Sequence, residues 1–229
     1  MPLLSAGRRT PASVNLIRAE EAERVPATGA VASVQEAEVS LPRELLDELW
    51  RPENLERLAR AYWRYLTRVT LGLVRVVYGP DYRAVVLLHR RLSLLRFHVP
   101  EYETGAGFGQ VSWRIDRGLL VAKSGRGGEG FLRIRVTREH PAAPGREAEE
   151  AAGIGVVHVE LAVRNFYPLL RGGGRFARLG AWFYAQTQLR IHVLVCNGFL
   201  RSLARIDLPP SRVGALRGEI EAAGDRGAV

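Results

Sequence analysis

Residues 156–206 read VVHVELAVRNFYPLLRGGGRFARLGAWFYAQTQLRIHVLVCNGFLRSLARI, and their hydrophobic period changes partway along. At first Val157, Val159, Leu161 and Val163 alternate with His158, Glu160 and Ala162, the period of two of a half-buried strand. After Tyr167-Pro168 the spacing turns helical. Phe176, Leu179, Gly180, Phe183, Thr187, Ile191, Leu194 and Gly198 share one face, with Arg178, Gln188 and His192 on another. A strand thus leads through a glycine-rich loop into a long helix predicted from near residue 174 to about Ile206. Asn197-Gly198 would suit a hairpin turn, but FLRSLARI keeps the helical spacing, which favours an unbroken or kinked helix. Pro209-Pro210 ends it, and residues 209–229 read as a short terminal helix capped by Ser211 and a frayed tail.

The three glycines are not a phosphate cradle. A P-loop closes on Lys-Ser/Thr so that backbone N–H groups wrap the phosphates and the ammonium reaches the last one; GGGRFARLG has neither residue, and G-x-G-x-x-G is also missing. Arg178 and Arg190 interrupt the apolar run, which excludes a membrane span there.

Upstream, the period of two recurs. GFLRIRVTR sets Leu132, Ile134 and Val136 against Arg133 and Arg135, and QVSWRIDRG sets Val111, Trp113 and Ile115 against Ser112 and Arg114. Asp116, Arg117 and Gly118 predict a tight hairpin turn into LLVA. RAVVLL and RLSLLRFHV flank a connection around His89 and Arg90. TGAGFGQ and SGRGGEG read as hairpin loops, and residues 139–153 as a long polar loop. Earlier still, LPRELLDELW predicts a short helix. A second helix opens at residues 51–53, carries Leu55, Leu58, Tyr62, Leu66, Val69 and Leu73 on one stripe, and ends at Gly79-Pro80. Residues 1–40 read as a flexible arm with one possible short strand in VASVQEAEV.

The expected architecture is α+β: a curved antiparallel sheet wrapped around a long C-terminal helix, with two helices before the sheet, in one domain over residues 41–208. The apolar face lined by Val111, Trp113, Ile115, Leu132, Ile134, Val136 and Val159 needs a cover, and the long helix supplies one. A cavity between them would suit a hydrophobic or amphipathic small molecule. Its expected lining is Trp113, Ile115, Ile134, Val159, Phe176 and Phe183, with Tyr184 and Arg190 among the polar groups at its mouth.

Composition limits the chemistry. The 229 residues carry a formal charge of +9, and of 33 basic residues only Lys123 is a lysine. That balance suits anionic partners, although a coding bias towards arginine would produce the same skew. Cys196 stands alone and the five histidines show no ligand spacing, so no disulfide, metal or cofactor is expected. With no secretory core at the start, the expected location is cytoplasmic. His158 and Glu160 share a strand face within reach of Arg133 or Arg135, which makes them the one candidate acid–base pair; the same parity also describes the solvated side of a half-buried sheet.

Two segments, VSWRIDRGLLVAKSGRGGEGFLRIRV and the strand, loop and helix of residues 156–206, together with the two helices ahead of them, resemble the helix-grip layout of the START-like superfamily, which includes polyketide cyclases and Bet v 1-like carriers. The resemblance spans about residues 41–206 and implies binding or transfer of hydrophobic molecules, with catalysis in some members only. It departs in one respect: members often begin with a strand before the two helices, and here VASVQEAEV would have to provide it.

Three functions compete. The first is a module that binds a hydrophobic molecule in the cavity. The second is a basic interaction protein whose Arg57, Arg60, Arg64, Arg68, Arg133 and Arg135 contact nucleic acid or an anionic membrane surface, although no specific nucleic-acid motif is present. The third is an enzyme of unknown reaction using His158 and Glu160.

Overall fold

The alternating run that ends at Phe166 is a 13-residue strand, Ile154–Phe166, and the sheet assembles around it. The computed structural model describes residues 12–19, 23–24, 30–88, 92–122, 128–138, 147–166 and 195–203. In chain order the elements are β1 (Ser13–Ala19), β2 (Glu23–Arg24), β3 (Val31–Pro42), α1 (Arg43–Leu49), α2 (Pro52–Val69), β4 (Val74–Tyr78), β5 (Tyr82–Leu87) and β6 (Ser93–His98), followed by β7 (Glu101–Thr104), β8 (Phe108–Arg117), β9 (Phe131–Arg138), α3 (Glu147–Ala151) and β10 (Ile154–Phe166). Residues 195–202 form a further helix, α4. Among the described residues ten strands form one sheet in the order β1-β3-β10-β9-β8-β6-β5-β4, with β2 on β3 and β7 on β8. The pairings are antiparallel.

The expected fold class needs correction. An antiparallel sheet dominates the molecule, and the helix described at its C-terminal end covers residues 195–202 only, eight residues where a long one was expected. Residues 174–194 of that expected helix lie outside the described residues. The apolar face is covered on its β4 and β8 side by α2. The cause is the size of the side chains α2 presents: aromatic residues bury the most area per position and pack edge to face. Trp63 meets Trp113 at 5.1 Å and Phe97 at 5.8 Å between ring centroids, and Tyr62 meets Phe199 of α4 at 5.2 Å. Val195, Cys196, Phe199 and Leu200 complete the core from α4. Asn197-Gly198 lies inside that helix. A Cβ at Gly198 would overlap the Tyr65 hydroxyl, so glycine there lets α4 approach α2.

Three local expectations also change. The strand read in VASVQEAEV is present within the longer β3, while residues 13–19, read as arm, form a further strand, and β3 pairs on both sides, with β1 and with β10. The second helix stops at Val69, because Leu71 and Gly72 take φ of 52° and 79°; the valine-rich VRVVY that follows is β4. Gly118 does not turn β8 back into a hairpin with LLVA. Leu119 and Leu120 donate their N–H groups to the carbonyls of Ser93 and Leu94, so the chain crosses the start of β6, and the next strand is β9.

Candidate functional site

β9 and β10 put alternate side chains on opposite faces, which fixes what each can do. Trp113, Ile115, Ile134 and Val159 are all buried in the core, and Trp113 is occupied by Trp63. The other four expected lining residues, Phe176, Phe183, Tyr184 and Arg190, lie outside the described residues.

The opposite face is polar and only half-buried. Register places Glu36 of β3 opposite Glu160 of β10, and Glu160 opposite Arg135 of β9. One step along, Glu38, His158 and Thr137 form the next row. Two carboxylates directly opposite each other repel, so a neighbouring cation is needed to hold the row together. Arg133 supplies it: its guanidinium donates to Glu160 Oε1 at 2.9 Å. His158 Nε2 lies 3.5 Å from Glu38 Oε1, and the Arg135 guanidinium sits over the Phe108 ring at 4.8 Å. The pairing anticipated from strand parity is therefore present, with Arg133 as the partner of Glu160.

Among the described residues a concavity of about 240 Å³ opens on this face, lined by Glu36, Arg135, Thr137, His158, Val159 and Glu160. It is small, below the usual range of about 300–1,000 Å³ for sites that take a drug-sized ligand. Its chemistry is mixed: Glu36 and Glu160 bring carboxylate acceptors, while Arg135 and the Thr137 hydroxyl bring donors. Glu36 and Thr137 escaped sequence reasoning. Glu36 sat in the presumed arm, and Thr137 carried no signal beyond its parity with Arg133 and Arg135. No group of three or more His, Cys, Asp or Glu side chains among the described residues is arranged to hold a metal ion.

The six arginines of the basic-interaction reading do not share a surface. Arg57, Arg60, Arg64 and Arg68 belong to α2, on the apolar side of the sheet, while Arg133 and Arg135 project from the polar side. Arg57 donates to Asn54 at 2.8 Å and Arg60 pairs with Glu56 at 3.3 Å.

The core holds two titratable groups of its own. Burial, with Cys196 alongside, pushes the Tyr62 phenol well above its ordinary range, and burial pushes the Cys196 thiol up. The two polar atoms are 4.0 Å apart. A thiol held protonated in an apolar setting is inert, in keeping with a core role.

No protein-family model matches this chain, and no curated protein matches it in sequence. No helix among the described residues is long and apolar enough to cross a membrane.

Proposed function

We propose that this chain is a binding module for a small polar molecule carrying both a positive and a negative group, seated in the groove between β3, β10 and β9. The observation that carries this reading is the groove's two-signed lining, with Glu36 and Glu160 on one side and Arg135 and Thr137 on the other. Arg133 fixes the Glu160 carboxylate and Glu38 steadies His158, so the lining is ordered before a guest arrives. Ordering in advance lowers the entropic cost of binding. Kinship with the START-like superfamily is a separate proposal, and the hydrophobic guest it implies is not the one the polar groove suits. One feature supports the kinship: a strand ahead of the two helices, β3, lies beside the last strand, β10.

Native mass spectrometry of the protein purified from its own source tests the binding role. The parent chain should carry a co-purifying small molecule at one per chain, and Glu36→Gln or Arg135→Gln should release it. Each substitution removes a charge-assisted hydrogen bond of about 1.5–3 kcal/mol, a ten- to hundredfold loss of affinity. A parent free of any adduct, or variants that retain it fully, would overturn the reading.

A further inference from the structure

One end of the sheet exposes leucine where a soluble surface would carry polar turn residues. Leu71 is 90% exposed, Leu88 64%, Leu119 51% and Leu73 50%. Backbone hydrogen bonds bring these positions together. Leu88 N–H donates to Leu73 O at 2.7 Å, Leu87 N–H to Leu92 O at 2.9 Å, and Leu119 N–H to Ser93 O at 3.0 Å. The starts of β4 and β6 and the ends of β5 and β8 therefore share one rim, capped by Leu71, Leu73, Leu88, Leu92 and Leu119.

Two of these leucines hold a conformation that leucine disfavours. Leu71 and Leu88 take φ of 52° and 55°, in the left-handed region where glycine or asparagine is the ordinary choice. Neither side chain recovers that cost by burial, since both point into solvent. A strained, exposed, apolar residue at two neighbouring turns is explained by something that covers it.

The charge around the rim says what. Between Glu56 and Glu101 the chain carries nine arginines and a single carboxylate, Asp81; Arg57 in the first turns of α2 and Arg83, bonded to Gly79 O, stand away from the rim, and Arg68 and Arg75 stand at it. Arg68 in the last turn of α2 and Arg75 at the start of β4 flank Leu71 and are exposed. Arg117 ends β8 beside Leu119 and is also exposed. The Asp116 carboxylate at this end is held by Arg96 at 3.4 Å and Arg117 at 3.5 Å.

We propose that this rim is a docking surface for an anionic lipid bilayer, with Leu71, Leu73, Leu88, Leu92 and Leu119 entering the headgroup–acyl boundary and Arg68, Arg75 and Arg117 contacting the headgroups. Apolar residues set among arginines match a bilayer surface, which offers hydrocarbon below and negative charge above. Nucleic acid uses the arginines but gives exposed leucine nothing to enter. The rim is separate from the groove on β9 and β10, so each role stands without the other.

Co-sedimentation of the full chain with vesicles tests it, using equal parts phosphatidylserine and phosphatidylcholine against phosphatidylcholine alone. The parent should bind the anionic vesicles and not the neutral ones. The double variant Leu71→Gly/Leu88→Gly suits the positive φ and should fold as well as the parent, yet bind the anionic vesicles at least about tenfold more weakly. Arg68→Gln/Arg75→Gln should cost about 25-fold, at about fivefold per surface arginine. A parent that ignores both vesicle types overturns the proposal, as does a glycine variant that binds like the parent. A parent that prefers duplex DNA or RNA in competition with vesicles overturns it too, and so does a parent dimer that the glycine variant converts to monomer.

Discussion

At Gly118 the backbone takes φ of 148°, and an added Cβ would overlap the Leu94 carbonyl oxygen. The contact is with backbone where the chain leaves β8 and crosses the start of β6, and it has no flexible end to move aside. Gly118→Ala should therefore destabilise the chain by about 2–3 kcal/mol, read as a lower urea midpoint at unchanged slope, the sum of overpacking and an unfavourable φ. The buried pair Tyr62 and Cys196 sets the alkaline limit. Both groups are held protonated in the folded state above their unfolded values, so their contribution is complete below the unfolded value and is lost as pH rises. Loss begins near pH 8.5 with the thiol and steepens above about 10 with the phenol. Urea midpoints measured at pH 9 and pH 11 should fall less in Tyr62→Phe than in the parent; an equal fall would show that Tyr62 ionises freely. The polar row shows what single residues reveal in sequence. His158, Glu160, Arg133 and Arg135 were legible as one face because parity alone places them. Which arginine pairs with Glu160 was not, since that depends on side-chain reach across the register.

Among elements, β3 is the instructive one. The sequence VASVQEAEV shows its strand only weakly because the inward positions are Ser33, Gln35 and Ala37, buried on the core side, while Val34 projects outward with Glu36 and Glu38. Polar residues on the buried face and an apolar one on the open face cancel the alternation on which strand reading depends. Gln35 and Ser33 tolerate burial because the amide Nε2 donates to the Ser33 hydroxyl at 2.6 Å. Strands β8, β9 and β10 were legible for the opposite reason: their inward residues are Val, Trp, Ile and Leu without exception through Val111–Ile115 and Ile134. β4 was missed because Leu73 falls on the helical stripe of α2, and two residues of positive φ carry no hydrophobic signal. Since β3 bonds to β1 and β10 at once, it is a central strand. A chain lacking residues 1–42 should therefore fail to fold as a monomer and should aggregate through the bare edge of β10, seen by light scattering. A truncated chain melting like the parent would mean the segment is an arm after all. On the other side of the core, Trp63→Ala removes the ring that meets Trp113, Phe97 and Tyr62, and should cost about 3–5 kcal/mol in thermal or urea unfolding.

At the scale of the molecule, one face of the sheet carries the core and the other carries the groove. α2 and α4 close the apolar side with aromatic packing around Trp113. The polar side keeps Glu36, Arg135, Thr137, His158 and Glu160 around a small concavity, and the leucine rim is built from β4, β5, β6 and the end of β8, strands that do not line it. Charge is divided in the same way: the arginine excess gathers between Glu56 and Glu101, while the groove balances carboxylates against guanidinium groups. The proposed function places a small two-signed molecule on the polar face. Amide chemical-shift mapping of the isotope-labelled chain, titrated with a low-molecular-weight extract of its source cells, tests this most directly. Shifts should concentrate at Glu36, Arg135, Thr137, His158 and Glu160, with the Trp113 indole unmoved. Shifts centred on Trp113 and Ile134, or none anywhere, would contradict it.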